Sequence, residues 1–295
     1  LCDTEAHYSE WSVTQKVWLR DHFASEQESR ACFGQPLHVG DPSAIVIARK
    51  DAWAQLDAWY DNWRDGRNVY VITGEEGDGK TWTVASWMHE RLESNENFPP
   101  VVFVPSFSAS SNDPHALISS AVESVLGRSP NGLWERRLDQ WMHRPEGNEP
   151  VLMLILDGIN QHNDSRWWRK LLESLQSKPW RSRVAVVVTS RTGFWNDNFA
   201  RLRSISHVSY LLPPYDDDEL SLALTRHGLD AAGFDAAFLE LLRKPRYLDM
   251  AVKHRDRIEE AGDFTPARLV YEDMLDKYQR KTGMPLSDVD FRDII

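Results

Sequence analysis

The octet GEEGDGKT at residues 74–81 decides the fold of this chain. It follows an apolar run at residues 69–73 (VYVIT) and leads into residues 82–92, where apolar side chains recur at helical spacing. A strand, a glycine-rich loop and a helix in this order are the context that the G-x-x-x-x-G-K-[ST] phosphate loop requires. The sequence therefore predicts a nucleoside triphosphate site at the start of a helix.

The residue types in the octet match this chemistry. Its glycines allow backbone conformations that other residues rarely adopt, so that successive N–H groups and the positive helix end point at an anion. The Lys80 ammonium can neutralise phosphate charge, and the Thr81 hydroxyl can ligate Mg²⁺. The predicted nucleotide contacts here are Gly74, Glu75, Glu76, Gly77, Asp78, Gly79, Lys80, Thr81 and Trp82.

The composition predicts a soluble, cytoplasmic protein. A hydrophobic fraction of 41% and a charged fraction of 27% are ordinary for a globular chain, and 295 residues can bury a substantial core. No apolar run reaches the roughly 18 residues of a membrane span, and the start does not resemble a signal peptide. Two cysteines suit a reducing cytosol. The net charge of −11 argues against general binding to nucleic-acid backbones.

A second motif is the apolar run at residues 151–156 (VLMLIL), which ends in Asp157. Open α/β folds bind ligands at the C-terminal edge of their sheet, where this carboxylate can hold magnesium through water. The pattern is typical of a Walker B element, so Thr81 and Asp157 are the predicted metal site. The alternative is a buried strand closed by an Asp in a turn, but the phosphate loop earlier in the chain favours the metal site.

Five apolar runs have the length of buried strands, and helix-length segments separate them. This spacing predicts a five-stranded parallel sheet between helices. One strand lies between the two Walker elements, which favours the broader ATPase group over simple P-loop kinases. The predicted strands are residues 69–73, 101–104, 151–156, 184–188 and 208–212, and a shorter β-like run covers residues 44–48.

The chain is expected to form three regions. Residues 1–43 are predicted to hold a helix and a linker rich in Gly and Pro at residues 26–43. Residues 44–215 form the predicted P-loop NTPase α/β domain, and residues 216–295 an all-α lid subdomain without a strand-like run. The predicted helices are residues 9–23, 51–66, 82–92, 115–126, 133–142, one from near Asn163 or Asp164 to Leu175, and residues 216–227, 235–243, 246–254 and 265–281.

These motifs resemble the STAND class of AAA+-related signalling NTPases, which contains the NACHT and NB-ARC modules. The resemblance covers roughly residues 44–255. The residues that carry it are Arg49 before the first strand, GEEGDGKT at 74–81, LILDGIN at 154–160, VVVTSR at 186–191, YDDDEL at 215–220 and RKPRYL at 243–248.

The resemblance implies a site for ATP or ADP with Mg²⁺, and adenine as the base rests on it alone. By resemblance, Arg49 lines the adenine side, Arg191 reads the γ-phosphate as a catalytic partner of Lys80 and Asp157, and Pro245 stands where the helical subdomain closes over the base. Each of the three added residues has a plainer interpretation. Arg191 is then a solvated strand-end charge, Arg49 a surface arginine and Pro245 a helix breaker.

The sequence also departs from this family. Members often carry acidic residues just after the Walker B Asp, whereas residues 158–161 here are GINQ and the next carboxylate is Asp164. Phosphoryl transfer depends on a well-placed nucleophile, and amides orient a water poorly, so slow hydrolysis is predicted. A clear finger arginine is also missing, although Arg201 and Arg203 are candidates that act on a neighbouring subunit.

The first functional hypothesis is a nucleotide-gated signalling switch that oligomerises through its NTPase module on a trigger. STAND proteins flank this module with effector and sensor regions, and neither is visible here, which fits a fragment starting at Leu1. Bacterial members include antiviral sensors, so an antiviral role is part of this hypothesis. The alternative is an AAA+-type remodelling ATPase or a nucleic-acid-dependent motor. A remodelling ATPase needs steady turnover and a carboxylate near Asp157, and the acidic charge counts against a nucleic-acid partner.

Overall fold

The computed structural model describes residues 2–63, 67–127, 132–144, 149–257 and 265–282, and the side chains of residues 2–5 and 276–282 are excepted. The chain divides into two compact units. The first unit comprises residues 1–76 and 80–212, and the second comprises residues 77–79 and 213–295. Among the described residues, none of the helices combines the length and the apolar character that a transmembrane helix requires.

A five-stranded parallel sheet forms the centre of the first unit, as predicted. Its strands are β1 (Val69–Gly74), β2 (Val101–Pro105), β3 (Leu152–Asp157), β4 (Val184–Arg191) and β5 (His207–Leu211). They lie in the order β2-β3-β4-β1-β5, and every neighbouring pair is parallel. All residues of β1, β2 and β3 are buried, which explains why the sequence shows continuous apolar runs instead of alternation.

Strand β4 lies between the two strands that carry the Walker motifs. It pairs with β1, where Gly74 stands opposite Arg191, and with β3, where Leu156 stands opposite Val188. Because the strands are parallel, the C-terminal ends of β1, β3 and β4 meet at one edge of the sheet. The phosphate loop, Asp157 and the end of β4 are therefore neighbours.

Helices cover both faces of this sheet. Alternate residues of β1 enter two apolar clusters: Val69 and Val71 lie in one, and Tyr70 and Ile72 lie in the other. The first cluster is completed by α5 (Pro114–Leu126), α6 (Leu133–Met142), α7 (Ser165–Leu175) and α8 (Thr192–Asn198), and the second by α1 (Cys2–Phe23), α2 (Glu26–Phe33), α3 (Lys50–Asp61) and α4 (Lys80–Ser94), while Trp11 of α1 also reaches the first.

Capping side chains set the predicted starts of two of these helices. The Asp113 carboxylate accepts a hydrogen bond from the Ala116 N–H, and Pro114 occupies the first turn of α5, as its missing donor permits. Asp164 caps α7 in the same way through the Trp167 N–H. The alternative start near Asn163 is thereby excluded.

The prediction of a linker over residues 26–43 is wrong for its first part, because residues 26–33 form α2. Ser25 caps the start of this helix, and Gly34 ends it in the left-handed conformation with φ 71°. Gly34 is thus a helix C-cap, a position that favours glycine, and its presence does not mark a flexible linker.

Two further local predictions also differ from the structure. Residues 44–48 form no strand, and Ile47 is buried without a place in the sheet. Helix α8 was not predicted, because its sequence TGFWNDN contains a glycine and two asparagines. Helix α3 ends at Asp61, and the predicted stop at Gly66 lies outside the described residues.

Helix α1 also runs beside the edge strand β2. The Gln15 side chain is buried, and its Nε2 donates a hydrogen bond of 2.7 Å to the Val101 carbonyl oxygen. Val101 lies in β2, which has a neighbouring strand on one side only. An amide of α1 therefore satisfies a carbonyl at the open side of the sheet.

The second unit is helical in its described part, as predicted, and residues 213–257 and 265–282 contain no strand. Asp216 and Glu219 form a reciprocal capping box at the first helix, where DDDE occurs in the sequence. The predicted stop at Gly283 lies outside the described residues. The α-helices in its described residues are α9 (Asp217–Arg226), α10 (Ala236–Leu242), α11 (Pro245–Lys253) and α12 (Pro266–Thr282).

Candidate nucleotide site

The phosphate loop connects β1 to α4, as the motif predicts. Gly77 and Gly79 have φ values of 90° and 83°, a region that residues with a Cβ rarely occupy. Lys80 opens α4 and folds back over the loop, where its Nζ donates to the carbonyl oxygens of Gly74 at 3.0 Å and Glu75 at 2.6 Å. The ammonium group is therefore held at the loop by acceptors that phosphate oxygens can replace.

Asp157 is the centre of a hydrogen-bond cluster at the end of β3, and its side chain is only 4% exposed. Its Oδ1 accepts hydrogen bonds from the Thr81 hydroxyl at 2.7 Å and the Thr189 hydroxyl at 2.6 Å. Its Oδ2 accepts one from the Gln35 amide at 2.9 Å. The two predicted metal residues, Thr81 and Asp157, are thus in direct contact.

Burial raises the pKa of the Asp157 carboxyl above its usual range. Hydrogen bonds from Thr189, Thr81 and Gln35, followed by the charge of Lys80, act in the opposite direction. Because burial disfavours the ionised form of this carboxyl group, a divalent cation bound beside it would stabilise that form. Hydroxyl and carboxylate oxygens are the hard ligands that Mg²⁺ prefers, so these side chains fit the predicted metal.

The end of β4 is tied to the segment that follows Asp157. The Thr189 hydroxyl oxygen accepts the Gly158 N–H at 2.8 Å, and the Asn160 side-chain oxygen accepts the Arg191 N–H at 3.0 Å. These contacts fix the backbone after Asp157 against the neighbouring strand. Asp164, the first carboxylate after Asp157 in the sequence, caps α7.

The predicted sensor Arg191 reaches the phosphate loop. Its guanidinium group donates to the Glu76 carboxylate at 2.5 Å, and both side chains are about half exposed. An exposed pair of this kind contributes roughly 0–1 kcal/mol to stability. Arg191 is therefore close to the loop, and its ion pair is weak enough to be exchanged for a phosphate.

Arg49 and Trp82 occupy different surroundings. Arg49 directly precedes α3 and is 4% exposed, so the alternative of an ordinary surface arginine is wrong. Trp82 lies in the first turn of α4, and its ring meets His38 edge-on at 5.4 Å between centroids. Their contacts with a nucleotide remain predictions.

Pro245 opens α11 in the second unit, which also includes Gly77 and Gly79 of the loop. Within this unit the Arg246 N–H donates to the Gly77 carbonyl oxygen at 3.2 Å, and a Cβ added to Gly79 would lie 3.2 Å from Pro245 Cγ. Pro245 therefore starts a helix at a position where its missing N–H costs nothing. Its predicted role at the base remains a prediction.

Sequence reasoning missed two residues of the Asp157 cluster. Thr189 lies within the motif VVVTSR, but only its arginine had been given a role; its place at the end of a strand beside Asp157 was the available signal. Gln35 lies in a segment predicted as linker, 122 residues from Asp157 along the chain. No pattern in the sequence connects the two.

A comparison with protein-family models matches residues 68–224 to the NACHT domain, which is just over half of the chain. The chain belongs to the NACHT domain family. The match begins directly before β1 and includes all five strands and most of α9. No curated relative matches the NACHT chain.

Solved structures share the fold of this NACHT chain at low sequence identity. The Aeropyrum pernix ORC1 protein in complex with DNA has a TM-score of 0.53 at 18% identity, with 83% of this chain and 69% of that chain covered. Drosophila ORC bound to DNA has a TM-score of 0.50 at 14% identity, with 80% and 62% covered. Cdc6p from Pyrobaculum aerophilum has a TM-score of 0.50 at 17% identity, with 77% and 67% covered. At these identities the likeness concerns the fold alone.

The match to the NACHT domain and the order of the strands in the sheet both indicate a P-loop NTPase. The chain is a P-loop NTPase of AAA+-like architecture, and its family implies a bound nucleotide and typically Mg²⁺. The residues that fit these ligands are Lys80 for phosphate, and Thr81 with Asp157 for the metal.

Proposed function

We propose that this NACHT chain is a signalling switch that binds ATP or ADP with Mg²⁺, hydrolyses ATP slowly and self-associates when a trigger acts. The observation that carries the proposal is the contact of Thr81 and Asp157 at the sheet edge beside Lys80. A role in antiviral defence, with effector and sensor regions outside these residues, extends the proposal by family resemblance.

Binding begins with exchange of partners at the phosphate loop. Lys80, which donates to the carbonyl oxygens of Gly74 and Glu75, would donate instead to phosphate oxygens, and the loop N–H groups and the α4 N-terminus would attract the same negative charge. Thr81 and Asp157 hold the metal side of the ligand. Bound Mg²⁺ supplies neutralisation of the charge that develops on the phosphates.

The residues after Asp157 support slow hydrolysis. The Asn160 side-chain oxygen accepts the Arg191 N–H, and the side chain of Gln161 lies close to Gly158. Both side chains are amides, and residues 158–163 contain no carboxylate. Since no carboxylate follows Asp157 in this segment to orient a water, slow hydrolysis and a long-lived triphosphate state are expected, as a switch requires.

The ion pair between Arg191 and Glu76 supplies a difference between states. Arg191 contacts Glu76, and a γ-phosphate bound at the same loop would offer the guanidinium group a second acceptor. A ligand shifts a conformational equilibrium only through such differential contacts. Arg191 is therefore proposed to report the γ-phosphate by changing partner.

The test is nucleotide binding and turnover by the Lys80→Ala variant. Loss of the charged donor is expected to weaken ATP affinity about a hundredfold, because charge-assisted hydrogen bonds are among the strongest that proteins make. Lys170→Ala, which changes an exposed lysine of α7, is the control and is expected to bind like the wild type. Binding is measured by titration of a fluorescent ATP analogue.

Turnover separates the switch from its alternative. Wild-type hydrolysis below about one ATP per second fits the switch, and faster turnover favours a remodelling ATPase. The structural neighbours bound to DNA do not by themselves favour a nucleic-acid motor, because the net charge of this chain is −11. Unchanged ATP affinity in Lys80→Ala would contradict the assignment of the site.

A further inference from the structure

Gln35 contacts Asp157 from a segment outside the nucleotide-binding motifs. Its Nε2 lies 2.9 Å from Asp157 Oδ2. The other oxygen, Oδ1, accepts both threonine hydroxyls, from Thr81 and Thr189. Gln35 thus holds the carboxylate oxygen that the threonines do not hold.

The chain before Gln35 is fixed by α2. Phe33, the last residue of this helix, is buried, and its ring packs edge-on against Phe103 of β2 at 4.9 Å between centroids. Gly34 then turns the chain with φ 71°, and its N–H donates to the Arg30 carbonyl oxygen at 3.0 Å. This left-handed turn favours glycine and directs the next residue away from the helix axis.

The chain after Gln35 is fixed as firmly. Pro36 restricts the backbone of Gln35 to extended conformations. Leu37 is fully buried, and its N–H donates to the hydroxyl oxygen of the buried Ser29 at 2.9 Å. An amide held between two anchors loses little conformational freedom when it binds Asp157, so the contact is preorganised.

The chemistry of the amide suits this place. An amide donates to a carboxylate without carrying charge of its own, so it stabilises the ionised form and adds no repulsion toward a cation. With Oδ2 held, the carboxylate plane is fixed and Oδ1 stays directed at the Thr81 hydroxyl. Second-sphere partners of this kind orient metal ligands in many proteins.

We propose that Gln35 is a positioning residue of the magnesium–nucleotide site, which fixes the Asp157 carboxylate from the segment after α2. The inference rests on the proposed nucleotide function and deepens it. It makes the N-terminal helices part of the nucleotide machinery, because α2 sets the place of Gln35. By linkage, a partner that displaces α2 lowers the affinity for the metal-bound nucleotide, and that nucleotide resists the displacement.

The test compares mant-ADP affinity in Mg²⁺ with affinity in EDTA for the whole chain. Gln35→Ala removes the amide, and Gln35→Met keeps a similar volume without a donor. Both are expected to weaken binding about tenfold in Mg²⁺ and less than about twofold in EDTA. Gln27→Ala, which changes an exposed glutamine of α2, is expected to match the wild type in both conditions.

Three results would overturn the inference. Wild-type affinity of both variants in Mg²⁺ would show that the contact does not matter. Equal weakening in Mg²⁺ and EDTA, with a lower Tm, would assign Gln35 a structural role only. Recovery of affinity in Gln35→Met would show that volume, and not the hydrogen bond, is required.

The Lys80→Ala variant separates this inference from the proposed function. If the wild type binds mant-ADP, Lys80→Ala does not, and the Gln35 variants behave like the wild type, only the role of Gln35 is wrong. If wild-type and Lys80→Ala proteins both fail to bind, the proposed function fails and this inference fails with it.

Discussion

The two sides of Asp157 are held by regions that differ in how they are built. Thr189 lies in a strand, and Thr81 lies in the first turn of a helix, so both hydroxyls are placed by regular backbone hydrogen bonds. Gln35 lies in an irregular segment, and its place depends on a helix cap and on two buried side chains, Phe33 and Leu37. The Asp157 carboxylate is therefore oriented on one side by residues of regular secondary structure and on the other by an irregular segment that packs against the sheet.

We expect the loss of a hydrogen bond to Oδ1 and the loss of the one to Oδ2 to have different effects on stability and metal affinity. Thr189, which donates to Oδ1, is buried in the sheet, so its loss is expected to reduce both stability and metal affinity. The partner of Oδ2 is half-buried, so its loss is expected to reduce metal affinity with little effect on stability. Two measurements on the Asp157 cluster test this distinction, and a third, on the ion pair of Arg191 and Glu76, gives a comparison outside the cluster.

The largest effect is expected for Thr189→Val. The substitution keeps the shape but removes the donor to Asp157 and the acceptor of the Gly158 N–H. A buried N–H without a partner costs about 1–3 kcal/mol, so the free energy of unfolding is expected to fall by about 2–4 kcal/mol. Urea denaturation of the metal-free protein measures this change.

Thr192→Val is the matched control for that substitution. Its hydroxyl is buried, and no hydrogen-bond partner for it exists among the described residues. Its replacement is expected to leave stability unchanged or to raise it slightly. If Thr189→Val lowers the free energy of unfolding no more than Thr192→Val does, the contacts on Oδ1 do not contribute to stability as expected.

The second effect concerns pH. Because burial raises the pKa of Asp157, the folded apo protein binds this proton more tightly than the unfolded chain, whose carboxyl has a pKa of about 3.9. Ionisation of Asp157 therefore lowers apo stability as the pH rises through the interval between the two pKa values. In the proposed site Mg²⁺ binds the ionised carboxylate, so the gain in Tm from MgADP over ADP with EDTA is expected to be full above the folded pKa and to decline as the pH falls through it.

Differential scanning fluorimetry from about pH 4 to pH 8 measures this gain. Asp157→Asn cannot ionise at this position, so it is expected to lose both the gain and its pH dependence. Gln35→Met is expected to move the decline to higher pH, because it removes one hydrogen bond that favours the ionised form. A gain that is the same at every pH would contradict a role for Asp157 ionisation.

The smallest effect is expected for Glu76→Gln, which lies outside the Asp157 cluster. Its pair with Arg191 is half exposed, so the free energy of unfolding is expected to change by less than about 1 kcal/mol. ATP affinity is expected to rise about threefold, since one negative charge leaves the loop and Arg191 can turn to phosphate. Glu90→Gln, which changes an exposed carboxylate of α4, is the control. An equal rise in ATP affinity in that variant would show that the net charge of the protein, and not the pair with Arg191, causes the effect.

The sequence predicted the sheet and the central part of the site well, for identifiable reasons. Strands buried on both faces appear as uninterrupted apolar runs, so β1, β2, β3 and β4 could be located in this way, whereas β5 is only partly buried. The phosphate loop combines glycines with Lys80 and Thr81 at fixed spacing. Asp157 could be predicted because it ends such a run. Residue types and spacing were sufficient for features that form between residues close together in the sequence.

The rest depends on contacts between distant parts of the chain. Helix α2 has only eight residues, and its stability comes from Phe33 packing against β2, which local propensity does not reveal. Residues 44–48 are apolar like a strand, but they pair with none of the described strands of the sheet. Gln35 meets Asp157 only after the whole domain has folded, and a single glutamine between Gly34 and Pro36 has no distinctive pattern.

The hydrogen bond from Gln15 to the Val101 carbonyl oxygen protects an edge strand of the sheet against aggregation. An open sheet margin is a template onto which foreign chains can add, and a covering element blocks it. Helix α1 supplies that cover for β2 through a side-chain amide that imitates an adjoining strand. Truncated variants that lack about the first 24 residues are therefore expected to aggregate during expression, even though they keep every residue predicted to contact phosphate.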